Sequence, residues 1–325
     1  MIDWESRIGR RLRLRDLHVF FAVVQSGSMA KAAAHLNVTQ PSVSKAIGDL
    51  EAVLGARLFD RSPQGVEPTK CGRALLSCGT KVFDELKQGI RNIEFLTDPT
   101  AGELKIACHE STVPVLLPIF EEFSRRYPQA VLEVEEGNAP EFVQKLRDRS
   151  LDLALVRLYG QTGVNFENID DINIKPFFDD EVVVAAGMHS RWARRRKIDL
   201  AELVNERWIL TAPHAWTYRV LSEAFQERGL DMPKIKLKTF SVHLRVNLLA
   251  AGEFIATLPR SVLSLYADRF SLKALPVDLP VRPWPVAIVT LKNRTLSPVV
   301  ERFIQCAAEV TKSMSARPQA RNRSS

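Results

Sequence analysis

Gly27-Ser28-Met29-Ala30-Lys31-Ala32-Ala33-Ala34-His35-Leu36-Asn37-Val38-Thr39-Gln40-Pro41-Ser42-Val43-Ser44-Lys45 is the stretch that decides the fold. Ser28 stands as an N-cap before a short Ala-rich helix. Asn37-Val38-Thr39 interrupts that helix. Thr39 is placed to cap the next one, with Pro41 in the first turn, where its missing N–H costs little. Val43, Ile47, Leu50 and Leu54 then recur at +4, +3 and +4, a stripe that faces a core, and Gly55 closes the helix. Two short helices joined by three residues, the second capped and amphipathic, match a helix-turn-helix. Ala32, Ala33 and Ala34 let the two helices cross closely, which bulkier residues would prevent.

Working outward, Leu17, Val19, Phe20, Phe21, Val23 and Val24 predict a preceding helix over about 14–25, stopped by Gly27. Away from the apolar stripe, the second helix of the motif presents Gln40, Ser42, Ser44 and Lys45. Glutamine can bond adenine edges in a major groove, lysine can reach guanine or phosphate, and serine suits either. The alternative is an ordinary three-helix bundle whose polar face is merely solvated. Downstream, Arg57-Leu58-Phe59-Asp60-Arg61, the turn Ser62-Pro63-Gln64-Gly65 and Val66-Glu67-Pro68-Thr69 read as a strand, a tight turn and a strand, hence a wing. Arg61 at its base is a phosphate clamp or an ordinary solvated arginine.

The run Gly27 to Ala33, then Leu36 to Ser44, Ile47, Leu50-Glu51, Leu54-Gly55, Leu58 to Arg61 and Pro68-Thr69 resembles the DNA-binding domain of LysR-type transcriptional regulators. These motifs lie in fixed order, without gaps, over about residues 12–72. The resemblance implies that Gln40, Pro41, Ser44 and Lys45 sit in the major groove and that Arg61 and Gly65 fall at the wing. Ser28, Lys31, Thr39 and Ser42 complete the implied DNA-contacting set. The family commonly has arginine where this chain has Lys45, which gives a point charge in place of a bidentate fork.

Thr69 can cap a long helix over about 70–96. Its apolar stripe, Leu75, Val82, Leu86, Ile90 and Ile93 with Phe83 beside it, is too long for one small domain to cover, so either a partner helix or the chain itself packs on it. In the family resembled, this helix pairs with its copy, bringing two recognition helices to one palindromic site as a homodimer or homotetramer. Asp98-Pro99-Thr100-Ala101-Gly102 then breaks the helix.

Beyond the break, strand and helix signals alternate. Strands are expected at 103–108, 131–135, 151–156, 181–186, 208–210, 235–237, 254–258 and 286–291, with helices from Ser111 or Thr112 and over 140–149, 217–228, 241–251 and 297–312. The alternation indicates a parallel α/β sheet, and two successive series indicate two lobes with a cleft between them. The layout is similar to the family's effector-binding domain, itself similar to periplasmic solute-binding proteins, with 272–310 returning to complete the first lobe. A ligand in such sheets binds beyond the strand ends, often at helix N-termini. Four places qualify: Ser111-Thr112, Gly137-Asn138, Ala215-Trp216-Thr217 and Thr239-Phe240-Ser241. Taken singly, each Ser or Thr is as readily a helix cap. Arg157 and His109 are candidate carboxylate partners, with a solvated or structural role the more ordinary reading of each, and His214 with Trp216 offers ring surface, although core packing explains Trp216 equally well.

Charge and composition agree with this division. The 325 residues carry 45 Lys+Arg against 38 Asp+Glu, a net +7, with a 46% apolar content ordinary for a globular chain. Residues 1–96 hold a surplus of four basic groups and the tail 311–325 another four, leaving the middle at −1. A basic module on a near-neutral body fits polyanion binding by the N-terminal third. The basic run Arg191, Arg194, Arg195, Arg196 and Lys197 reads as a solvated loop, and the tail as a disordered segment adding non-specific phosphate attraction. The four cysteines form no metal pattern and read as reduced, partly buried thiols. No apolar run approaches bilayer length and the opening residues lack a signal-peptide core, so a cytoplasmic protein with no membrane partner is expected.

None of the phosphate-loop, dinucleotide, serine-hydrolase or zinc-protease motifs occurs, so no catalytic residue, metal or cofactor is expected. Together these readings describe an α+β winged helix-turn-helix domain (1–69), a linker helix and hinge (70–99), a two-lobed α/β periplasmic-binding-protein-like domain (100–312) and a basic tail (313–325). The expected function is a ligand-responsive regulator binding promoter double-stranded DNA, a small-molecule effector such as an organic acid or sugar derivative, and RNA polymerase. Ser111, Thr112, Asn138, Arg157, Trp216, Thr217, Thr239 and Ser241 are its candidate effector residues. A lyase-like enzyme on a solute-binding fold and a ligand-independent architectural DNA-binding protein are the alternatives.

Overall fold

The computed structural model describes residues 11–62, 65–158, 170–213, 215–279 and 284–316. The turn residues Pro63 and Gln64, His214, the first ten residues and the tail from 317 lie outside the described residues. By packing, the chain divides between Lys87 and Gln88 into two units.

In the first unit, α1 (Leu14–Ser26), α2 (Met29–His35) and α3 (Gln40–Leu54) are followed by β1 (Phe59–Ser62) and β2 (Gly65–Pro68). Gly27 ends α1 in the left-handed region at φ 61°, and Gly55 ends α3 in the same way at φ 68°. Phe20, Val23, Ala32, Ala33, Val43, Ile47, Leu50, Leu58 and Phe59 form one core. Ala32 and Ala33 are buried where α2 meets its neighbours, consistent with close helix crossing, whereas Ala34 is exposed and takes no part in it. Thr39 does not cap α3 with its side chain; its hydroxyl pairs with Ser42 Oγ at 2.8 Å. Helix α4 (Lys70–Thr97) is capped by Thr69, whose Oγ1 accepts from the Gly72 amide at 3.0 Å. Along α4, Val82, Leu86, Ile90, Ile93 and Leu96 are exposed, the last at 81%.

The second unit contains two five-stranded sheets. The strands are β3 (Ala101–Cys108), β4 (Gln129–Glu136), β5 (Leu153–Arg157), β6 (Ile172–Asp180), β7 (Val182–Gly187), β8 (Trp208–Leu210), β9 (Ile235–Lys238), β10 (Ile255–Pro259), β11 (Leu272–Ala274) and β12 (Trp284–Leu291). The first sheet has the order β4-β3-β5-β12-β6 and the second β11-β7-β10-β8-β9. Around them pack α5 (Val113–Arg126), α6 (Ala139–Arg147), α7 (Trp216–Glu227), α8 (Val242–Ala250), α9 (Arg260–Phe270) and α10 (Pro298–Ala316).

The sheets are mixed rather than parallel. Strands β3, β4 and β5, and likewise β8, β9 and β10, pair in parallel. However, β12 runs antiparallel to β5 and β6, and β7 runs antiparallel to β10 and β11. The cause is the double crossing between lobes: chain entering or returning from the other lobe adds a strand without a covering crossover helix. The return to the first lobe is by β12 and α10, since β11 stays in the second sheet. Of the basic run, Arg191 and Arg195 stack on Trp192 and pair with Glu206 and Glu202. Cys108 and Cys306 are buried, Cys71 and Cys78 exposed, and all four are free thiols.

Candidate DNA face and effector cleft

On α3 the buried stripe Val43, Ile47 and Leu50 leaves Gln40, Pro41, Ser42 and Lys45 exposed and Ser44 half-buried. Lys31 and Thr39 are exposed beside them, and Ser28 is half-buried at the α2 cap, where the Lys31 amide makes a long 3.5 Å contact with its hydroxyl. The wing is tied to this helix by Glu51, whose Oε1 accepts from the Leu58 amide at 2.6 Å and the Phe59 amide at 3.4 Å. Arg61 is exposed on β1. Gly65 holds the wing against the end of α1: at φ 141° any added Cβ would meet the Gly27 carbonyl at 2.8 Å, and the Val66 amide donates to that carbonyl at 3.0 Å. Gly65 therefore has a structural reason to be glycine.

Between the two lobes of the second unit lies a cavity of about 560 Å³. The first lobe contributes His109, Ser111, Gly137, Asn138, Phe142 and Arg157, among others. The second contributes Thr211, Trp216, Thr217, Phe240, Arg245 and Pro259. Of the eight candidate residues, Ser111, Asn138, Arg157, Trp216 and Thr217 thus meet on one cavity, while Thr112, Thr239 and Ser241 do not line it. Local bonds explain those three. Thr112 is fully buried and its hydroxyl donates to the His109 carbonyl at 2.7 Å, so it does not cap α5. Thr239 Oγ1 accepts from the Ser241 amide at 3.1 Å, and Ser241 Oγ caps α8 by accepting from Leu244 at 3.2 Å.

Several of the lining polar groups are also committed. Asn138 forms a capping box with Glu141 at the start of α6. Thr217 and Thr211 share a buried hydroxyl bond of 2.9 Å. Arg157, with 6% of its side chain exposed, lies 2.8 Å by Nη1 from Asp180 Oδ2, donates from Nη2 to the Ser111 carbonyl at 2.7 Å and has its guanidinium 5.1 Å from the Trp216 ring centroid. No N–H of Nη1 has a well-aligned acceptor, so its attraction to Asp180 is electrostatic first. Asp180 in turn accepts from Ser261 Oγ at 2.5 Å, at the start of α9. One buried pair therefore reaches from a first-lobe strand through the crossover to a second-lobe helix.

Sequence reading missed Arg245. It is 2% exposed, and its Nη1 donates to the Thr257 carbonyl at 3.1 Å. Burial pushes it down to about 10, with Glu110 opposing, so it is cationic at neutral pH. A signal was present: Val242, Arg245, Val246 and Leu249 follow the core-facing spacing of a helix, and arginine is out of place there. Burial, and then repulsion from Arg157 and Arg245, hold His109 below the usual imidazole range. Its Nδ1 accepts from the Ser111 amide at 3.1 Å, which places the proton of the neutral ring on Nε2. Among the described residues there is no cluster of three or more metal-ligating side chains. Among the described residues no helix is long and apolar enough to cross a membrane.

Residues 14–73 match the model of the bacterial regulatory helix-turn-helix protein of the lysR family, and residues 97–312 match that of the LysR substrate binding domain. The HTH-type transcriptional regulator TdcA of Escherichia coli is 27% identical over 300 residues, 91% of this chain and 93% of its own. A full-length OxyR variant from Pseudomonas aeruginosa shares the fold over 93% of this chain and 95% of its own, with TM-score 0.62 and 23% identity. The CcmR regulatory domain of Synechocystis, solved in complex with 2-PG, does so over 66% of this chain and 99% of its own, with TM-score 0.55 and 23% identity. The chain belongs to the LysR family: a lysR-type helix-turn-helix module followed by a LysR substrate binding domain, the build of a ligand-responsive, DNA-binding transcription regulator.

Proposed function

We propose that the chain works as a symmetric oligomer, dimer or tetramer, on promoter DNA, and that a small molecule in the interlobe cleft changes the spacing of its DNA-binding modules. In this reading residues 1–69 bind DNA, 70–99 pair the subunits, 100–312 sense the effector and the basic tail 313–325 adds phosphate attraction. Gln40, Pro41, Ser42, Ser44 and Lys45 read the major groove, and Ser28, Lys31, Thr39, Arg61 and Gly65 lie at the backbone-contacting edge. The exposed stripe on α4 is the pairing surface. RNA polymerase is the partner through which a DNA-bound regulator acts, and the cytoplasm is where it meets both. The role is regulatory rather than enzymatic, as in TdcA.

The observation that carries the effector reading is the cavity whose walls come from both lobes. A ligand touching both lobes has different affinities for open and closed forms, which is the requirement for shifting an equilibrium. CcmR with 2-PG supports a small-molecule site in a domain of this fold. The experiment is fluorescence anisotropy on the DNA upstream of the chain's own start codon, against shuffled DNA of equal length, with a salt titration. Tight, sequence-preferring and salt-sensitive binding is expected. Equal, weak binding to both DNAs would remove that promoter as the target.

A further inference from the structure

We propose that the cleft takes a monocarboxylate with an apolar, preferably aromatic, body, and that Arg245 holds the carboxylate. The inference rests on the cleft being the effector site and adds the class of molecule it takes.

Among the described residues two arginines line the cavity, and they differ. Arg157 has a carboxylate partner in Asp180 at 2.8 Å and a carbonyl partner in Ser111. Among the described residues, Arg245 has no carboxylate within ion-pair distance, and its bonds go to neutral carbonyls, Thr257 at 3.1 Å and, at a long 3.5 Å, Phe240. Its Nε–H has no acceptor among the described residues. The acid that acts on Arg245 through its field is Glu110, whose two oxygens accept from the Val242 and His243 amides at 2.8 and 3.0 Å. A buried cation with an idle donor is costly unless something completes it. A planar carboxylate is the natural complement of a guanidinium fork.

The charge count sets the valence. Arg157 is ion-paired with Asp180, His109 is neutral near pH 7, and Glu110 acts on Arg245 only through space, so among the described residues Arg245 is the one lining cation with no carboxylate bonded to it. A dianion would bring a second negative charge with no cation free to meet it. The remaining walls set the body: Phe142, Leu155, Val156, Trp216, Phe240 and Pro259 are apolar surfaces. Thr211 and Thr217 bond to each other and Asn138 Oδ1 caps α6, so part of the neutral polar lining that a polyhydroxylated sugar would need is already engaged.

The test is calorimetric titration of the full chain with phenylacetate, 1-naphthoate and hexanoate, the matching amides, the dianion phthalate, and glucose. At least one monocarboxylate is expected to bind about tenfold or more tightly than its amide, than phthalate and than glucose. Arg245→Gln is expected to erase the acid–amide difference, with cooperative thermal unfolding of residues 100–312 as the check that the variant is folded. If that variant does not fold, the wild-type acid–amide ratio decides alone. Equal binding of acid and amide, preference for the dianion, or no binding of any monocarboxylate overturns the proposal. Ala139, at the start of α6, also lines the cavity, and a neutral ligand lost on Ala139→Trp but not on Arg245→Gln would overturn the class and keep the cleft. An acid that still binds Ala139→Trp would remove the cleft itself as the effector site.

Discussion

The Glu110 carboxylate joins the two lobes by accepting the first amides of α8, Val242 at 2.8 Å and His243 at 3.0 Å. Glu110 follows β3 of the first lobe and α8 belongs to the second, so an acid supplies from one lobe the partners that a helix N-terminus in the other lacks. Charge-assisted hydrogen bonds of this kind contribute about 1.5–3 kcal/mol each at best, less where water competes.

Replacing Glu110 therefore has a local and a global readout. Glu110→Ala should accelerate hydrogen exchange at the Val242 and His243 amides and lower the melting temperature by several degrees, with Glu110→Gln intermediate. It should also widen the distribution of interlobe distances between spin labels. Unchanged exchange at both amides would mean that the lobes are held by other contacts, the Arg157–Asp180–Ser261 chain being the candidate.

Glu51 does for the wing what Glu110 does for the lobes. Its Oε1 accepts two amides, Leu58 and Phe59, at the start of the wing, so the hairpin inherits its position from α3. Glu51→Ala should destabilise the DNA-binding module by about 1–3 kcal/mol and weaken DNA binding, although Glu51 itself need touch no DNA. Glu51→Gln keeps an acceptor and should recover most of both losses. Chemical denaturation of residues 11–87 within the full chain, followed by tryptophan-free reporters on the wing, separates this from a direct contact. A Gln variant as weak as Ala would argue that the charge meets something else.

Lys45 and Arg61 should behave differently on DNA. Lys45 is exposed on the face of α3 opposite Val43, Ile47 and Leu50, whereas Arg61 is exposed on a wing strand. Lys45→Ala should cost about 1–3 kcal/mol on the native operator and less on shuffled DNA. Arg61→Ala should weaken both about equally and lower the salt-dependence slope by about one. Unchanged affinity in both variants would mean that another face of the module meets DNA.

The N-terminal module was legible because its signals are local. Ser28, Gly27 and Gly55 act within a turn of themselves, and the Val43-Ile47-Leu50 stripe names its own buried face. The cleft was partly legible: Ser111, Asn138, Arg157, Trp216 and Thr217 could be placed at strand ends one by one. Asp180 could not, because it acquires its role from Arg157 on another strand, whereas Arg245 carried a signal in its core-facing position that was passed over. Strand β6 also escaped. It is an edge strand with Pro176 and two terminal aspartates, so neither alternation nor β-branched enrichment marks it. The mixed direction of the sheets is a property of the crossings and has no residue of its own.

His109 gives the chain a stability that depends on pH in a direction the cleft dictates. Burial, Arg157 and Arg245 all disfavour its protonation, so its folded pKa lies below the unfolded value of about 6.5. Between those two values the unfolded chain binds more protons than the folded one, and stability rises with pH. This contribution is complete above the unfolded value and is lost as pH falls toward the folded one, at about 1.4 kcal/mol for each unit by which the pKa is lowered. Protonation at Nδ1 would also cost the bond from the Ser111 amide. Melting temperatures measured between about pH 7.5 and about pH 5 should fall with acid in the wild type and fall less steeply in His109→Gln. Arg245→Gln should raise the His109 pKa, read directly from its imidazole proton resonances, by removing one of the two facing cations. A His109 resonance titrating above the ordinary imidazole value would show that a carboxylate such as Glu110, which opposes the shift, governs the ring instead.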